Sequence, residues 1–150
     1  MEKHVVIELF SADVTTELKL NFAEGGIFAG FPSPAQDYME LSIDLNTELI
    51  KHPASTFFGR VRGNSLCDAG VEEGDILVID KSLQPSDGDM VVAFIDGEFT
   101  LKFIHFESNN PAPDKIWLMP ANDAYQPIMV TPDNEFLVWG VVTYTIKKRK

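Results

Sequence analysis

Residues Asp89–Phe106 read "DMVVAFIDGEFTLKFIHF". Two runs of β-branched and aromatic residues flank Asp96-Gly97, a dipeptide favoured in two-residue hairpin turns because both positions tolerate positive φ. The stretch predicts a β-hairpin. Working outward from it, "TFFGRV", "DILVID", "KIWLMP", "YQPIMV" and "FLVWGVVTYTI" repeat the pattern, as short apolar runs punctuated by Gly, Pro, Asn and Asp. The expected fold class is all-β and mainly antiparallel, with one or two short helices. The best helical stretch is "SIDLNTELIKHP": Asp44 or Ser42 can cap it, Leu45, Leu49 and Ile50 share a face, and Pro53 ends it.

The first 29 residues alternate weakly, in "HVVIELF" and "TTELKLNF", and read as two short strands or an extended arm. They are too few for a core of their own and lack the helical periodicity of a helix-turn-helix. "AEGGIFAG" is a flexible joint. "FAGFPSPAQDY", Phe28–Tyr38, sets the small Ala29-Gly30 pair ahead of two prolines, where neither a helix nor a central strand continues. It reads as a place where a chain can be cut. The expected organisation is an arm over 1–29, removable at that point, and a main domain over 30–150.

Composition narrows the functions. The chain has 150 residues, 45% of them hydrophobic, enough for one packed domain. Its 12 basic residues face 23 acidic ones, for a net charge of −11, which opposes approach to phosphate and argues against duplex DNA binding. The one basic run, Lys147-Lys148-Arg149-Lys150, reads as a solvated terminus. A single cysteine, Cys67, allows no internal disulfide and suits a reducing compartment. No apolar stretch approaches the roughly 20 residues of a membrane span, and the beginning lacks a secretory pattern. A cytoplasmic protein is expected, with no membrane association.

Chemistry-bearing residues are sparse. His4, His52 and His105 are scattered, without metal-ligand spacing, and neither a GxSxG elbow nor a phosphate-cradling loop occurs. No metal or cofactor is expected. Within "VRGNSLCDAG", Ser65 sits on a tight bend after a strand, where backbone N–H groups can receive a developing oxyanion. The alternative is a serine that satisfies only its own turn. In "EFTLKFIHF", Lys102 shares a strand face with Thr100, Ile104 and Phe106, and both faces are largely apolar. Burying a lysine disfavours its ammonium form, and a neutral amine can take a serine proton. Against this stands an edge-strand lysine whose amine snorkels to water.

Taken together, Ala29-Gly30 followed by "FPSPAQDY", then "GNSL", then "DGEFTLK" resemble the LexA-type self-cleaving serine peptidases, most closely their UmuD-like branch. "IDLN", "HP", the Gly-Asp pairs at 74–75 and 88–89, "MP" and "WGVV" follow in the family's order, over about residues 29–150. The resemblance implies that Ser65 is the nucleophile and Lys102 the general base. It implies that Ala29-Gly30 is the scissile bond, with the N–H groups of Asn64 and Ser65 as oxyanion donors. It also implies a homodimer and stimulation by a RecA filament on single-stranded DNA. The shortened form would then join an error-prone Y-family polymerase subunit, the UmuC-like partner of SOS mutagenesis. "GNSL" departs from the branch's usual Gly-Asp-Ser-Met without removing a catalytic group. The rival functions are a fragment of a LexA- or phage-repressor-like regulator, a non-enzymatic polymerase accessory, and a peptidase acting on other chains.

Overall fold

The structure is a computed structural model, and it describes residues 6–15, 17–22, 41–62, 70–108, 115–120 and 126–150. The chain divides into two compact units, Met1–Ala12 with Ala54–Lys150, and Asp13–Pro53.

The larger unit is an eight-stranded antiparallel sheet. Its strands are β1 (Val6–Ser11), β4 (Thr56–Arg62), β5 (Ile76–Asp80), β6 (Met90–Ile95), β7 (Glu98–Glu107), β8 (Lys115–Met119), β9 (Ile128–Val130) and β10 (Phe136–Ile146). Their spatial order is β1-β4-β5-β10-β6-β7-β8-β9. The hairpin forms where expected: β6 and β7 pair from Met90↔Phe103 to Ile95↔Glu98. Asp96 (φ 47°) and Gly97 (φ 89°) both take positive φ at the turn. The Asp96 carboxylate also accepts hydrogen bonds from Glu135 N (2.9 Å) and Asn134 Nδ2 (2.7 Å), tying the turn to the start of β10.

Both faces of this sheet carry a core. Val61, Val71, Leu77, Ile79, Val92 and Leu101 pack on one side. Val91, Ala93, Ile104, Leu118 and Val141 pack on the other. The alternation of β6 and β7 feeds both at once, which is why the sequence of the hairpin reads apolar on each face. The long strand β10 runs through the middle. It pairs with β6 over Phe136–Val141 and with β5 over Val141–Ile146, with a register irregularity in each ladder. Gly140 is required there, because a Cβ would come within 2.5 Å of Ile79 Cγ2.

The smaller unit pairs β2 (Lys19–Phe22) with β3 (Leu41–Asp44), followed by α1 (Leu45–Leu49). The helix begins where an Asp44 cap puts it but ends at Leu49, short of Pro53, because Ile50 is already extended at φ −119°. Asp44 is its N-cap: Oδ1 accepts from Asn46 N (3.1 Å) and Leu18 N (2.8 Å), and Oδ2 from Thr47 Oγ1 (2.8 Å). The Thr47 hydroxyl, and then the Leu18 N–H, hold this carboxyl below the ordinary aspartate range.

The segment read as an arm thus supplies strands to both units. Its first strand, β1, is an integral edge of the large sheet.

Candidate active site

The site residues expected from sequence divide sharply. Ala29, Gly30, Asn64 and Ser65 lie outside the described residues. Lys102 is described, and its setting removes one of the two readings open in the sequence. Strand β7 is not an edge; it is paired on both sides, with β6 and β8. Lys102 is only 4% exposed. It stands opposite Val91 and on the same face as Ile104, so its stem lies beside the second core. A snorkelling edge lysine is excluded.

The register also reveals a row that no sequence pattern displays. Thr56↔Asp80, Asp80↔Val141, Val141↔Val91 and Val91↔Lys102 are direct cross-strand pairs, so these five side chains line one face in a single row. Its polar members, Thr56, Asp80 and Lys102, are all buried. Asp80 and Lys102 are three strand spacings apart, about 14 Å. Asp80 serves its own neighbourhood, where Oδ1 accepts from Ser82 N (2.8 Å), Ser82 Oγ (2.6 Å) and Ser55 Oγ (3.3 Å). The geometry thus separates a fixed lysine from a buried carboxylate committed to a turn.

The Gly-Asp pairs prove to be turn chemistry. Gly74 and Gly88 have φ of 92° and 88°. Asp75 Oδ2 accepts from Glu72 N and Asp89 Oδ2 from Ser86 N, each at 2.8 Å, so each aspartate closes the turn that it ends. Asp75 also receives Lys147 Nζ at 2.6 Å, with Glu72 3.7 Å from the same amine. The first residue of the basic tail is therefore held, and not merely solvated. His105 points to the face opposite Lys102 and is exposed, with Nδ1 2.9 Å from Asp87 Oδ1. It is an exposed strand residue. Among the described residues no group of three His, Cys, Asp or Glu could hold a metal ion, and no helix is long and apolar enough to cross a membrane.

An antiparallel sheet with a lysine buried on an interior strand is consistent with the all-β peptidase domain that the sequence resembles. Comparison with known proteins agrees. Residues 22–143 match the Peptidase S24-like family, and the chain belongs to it. Protein ImpA of Salmonella typhimurium is 44% identical over 122 residues, covering 81% of this chain and 79% of that protein. Protein MucA of Escherichia coli is 43% identical over 121 residues, covering 80% and 79%. LexA repressor 2 of Pseudomonas syringae pv. tomato is 38% identical over 89 residues, covering 59% of this chain but only 42% of the repressor. ImpA and MucA are UmuD-like proteins, and the chain falls with that group of serine peptidases of SOS mutagenesis.

Proposed function

We propose that this protein cuts its own Ala29-Gly30 bond with a Ser65–Lys102 dyad. Lys102, as the neutral amine, takes the Ser65 proton while Oγ attacks the Ala29 carbonyl carbon. The N–H groups of Asn64 and Ser65 receive the oxyanion. Lys102 then returns the proton to the Gly30 amine as the bond breaks, leaving residues 1–29 as an acyl-enzyme on Ser65. Water, deprotonated by Lys102, releases them. Because enzyme and substrate are one chain, a modest catalyst suffices.

The observation that carries this reading is the burial of Lys102 on an interior strand. An amine held by a sheet packed on both faces stays at one place, as a proton acceptor must. The resemblance of the whole domain to UmuD-like proteins supports the rest. On that reading the protein is a cytoplasmic homodimer, its cutting is stimulated by a RecA filament on single-stranded DNA, and the shortened form serves a Y-family polymerase subunit of the UmuC type. The charge of −11 favours protein partners over duplex DNA.

Intact-mass measurement of the purified chain, with and without a RecA filament, tests the reading. A fragment beginning at Gly30 is expected, and none from Ser65→Ala. An unchanged mass under both conditions, or normal cutting by Ser65→Ala, overturns it. A peptidase acting on other chains would instead cut an added substrate and leave itself whole.

A further inference from the structure

The bond proposed for cutting lies downstream of β1, so the piece that leaves carries one edge of the large sheet. β1 is held to β4 by a six-pair ladder running from Val6↔Arg62 to Ser11↔Phe57, and among the described residues it is the outermost strand. Without it, β4 becomes the edge, with a row of unpaired backbone donors and acceptors. While the chain is whole, β1 is tethered near its place at an effective concentration on the order of millimolar. After the cut that tether is gone, and the piece must hold by its own contacts, the β1–β4 ladder and the shorter β2–β3 ladder.

Those contacts form a specific mould. On one face Gly59 lacks a side chain, and Ile7 fills the space: a Cβ at Gly59 would come within 2.6 Å of Ile7 Cγ2. Ile7 there packs against the core of Val61 and Ile79. On the other face Glu8 lies opposite Arg60 and accepts a hydrogen bond from Arg62 Nε at 3.2 Å. Phe10 lies opposite Phe58, with the Arg60 guanidinium 5.8 Å from its ring. Phe10, Phe58, Arg60, Ile76 and Ile146 line an apolar groove of about 330 Å³ with this single cation.

We propose that self-cutting unmasks the β4 edge as an acceptor for an extended segment of a partner protein. This rests on the cut at Ala29-Gly30. The segment accepted is one that repeats the chemistry of the strand that left: an apolar residue over Gly59, an acidic residue facing Arg60 and Arg62, then two apolar residues ending against Phe58. Backbone pairing supplies the affinity, and the Gly59 notch and the two arginines supply the choice. In a chain of net charge −11, two exposed arginines on one strand form a local inversion of charge that selects an acid.

The test uses fluorescence anisotropy with two labelled peptides. One spans residues 5–12, and the other has an unrelated sequence keeping the apolar–acidic–apolar–apolar pattern. Three forms of the full chain are compared: uncut, self-cut, and cut by an added protease at a recognition site placed at Gly25-Gly26. The cut forms are dialysed to remove the released piece. Both peptides are expected to bind both cut forms one-to-one and the uncut chain not at all. A Glu-to-Lys peptide should bind about tenfold more weakly and recover on Arg60→Glu/Arg62→Glu chains. If the chain never cuts itself but the protease-cut form binds, the acceptor edge stands and the self-cutting reading falls. The inference is overturned if cut chains bind neither peptide, bind a scrambled peptide equally, or lose their β circular-dichroism spectrum when the piece is removed. Equal binding by the uncut chain overturns it too.

Discussion

The hairpin β6–β7 and the pair β1–β4 each make a six-pair antiparallel ladder in the same sheet, yet they differ in what holds them. The two strands of the hairpin are joined by Asp96-Gly97, so their register is local and nothing short of unfolding separates them. Both faces are packed, with Leu101 and Ile104 fully buried. The strands of the edge pair come from distant parts of the sequence. Leu9 and Phe10 on β1 remain 41% and 48% exposed. A ladder can therefore be permanent or releasable with the same hydrogen bonds, and the covalent connection and the burial decide which. The proposed base sits in the permanent ladder, and the piece proposed to leave sits in the releasable one.

The largest effect should come from Lys102. Replacing it with Met keeps the stem beside Val91 and Ile104 but removes the base. Self-cleavage, followed by intact mass, should fall by on the order of 10³-fold, while the circular-dichroism spectrum stays that of the folded sheet. Lys102→Arg should be equally inactive, because a guanidinium stays protonated. Cutting by either variant at the normal rate would separate the buried lysine from the chemistry.

Next in size is the contrast in packing. Leu101→Ala should cost about 2–5 kcal/mol and lower the whole unfolding transition, because it opens a cavity in a core shared by several strands. Ile7→Ala should cost about 1–2 kcal/mol. Its signature should be local: faster hydrogen exchange at β1 and β4 amides, with the β6–β7 amides unchanged. If Ile7→Ala deprotects the hairpin as strongly as the edge, the two ladders are one cooperative unit and the contrast fails.

Asp96→Val tests the local connection. A β-branched residue at φ 47° is strained, and two hydrogen bonds to Asn134 and Glu135 are lost. A loss of about 2 kcal/mol in urea unfolding is expected, with cleavage of the folded protein retained. A neutral substitution would mean that the packed faces hold the register without the turn.

The smallest effect concerns pH. The Asp87 carboxyl is held below the ordinary aspartate range, first by the Phe106 N–H and then by His105. A depressed folded value stabilises the protein at pH above the ordinary aspartate range, and that contribution is lost as pH falls through the folded value. Asp87→Asn should therefore melt slightly below wild type at pH 7, and the gap should close in strong acid. A gap that persists there would point to shape and not charge at this turn.

The strands of the large sheet from β4 onward were legible in the sequence because each is a short β-branched run closed by turn residues. The Asp96-Gly97 turn was legible because few dipeptides tolerate two positive φ values in succession. Ser65, Asn64, Ala29 and Gly30 were legible as motif positions only, and they lie outside the described residues. The arm was the least legible part. Six weakly alternating residues do not reveal their partner, and β1 finds its own only across the fold, at Gly59 and the two arginines. The same holds for α1, whose capping by Asp44 was foreseen but whose end at Leu49, short of Pro53, was not. By itself the sequence determined the β class, the hairpin and the apolar surroundings of Lys102, because alternation and turn chemistry are local properties of the chain. Only the tertiary structure decided that β7 is an interior strand and that β1 pairs at the edge of the same sheet. Strand order is set by which faces can be buried together, and that choice is made by the sheet as a whole.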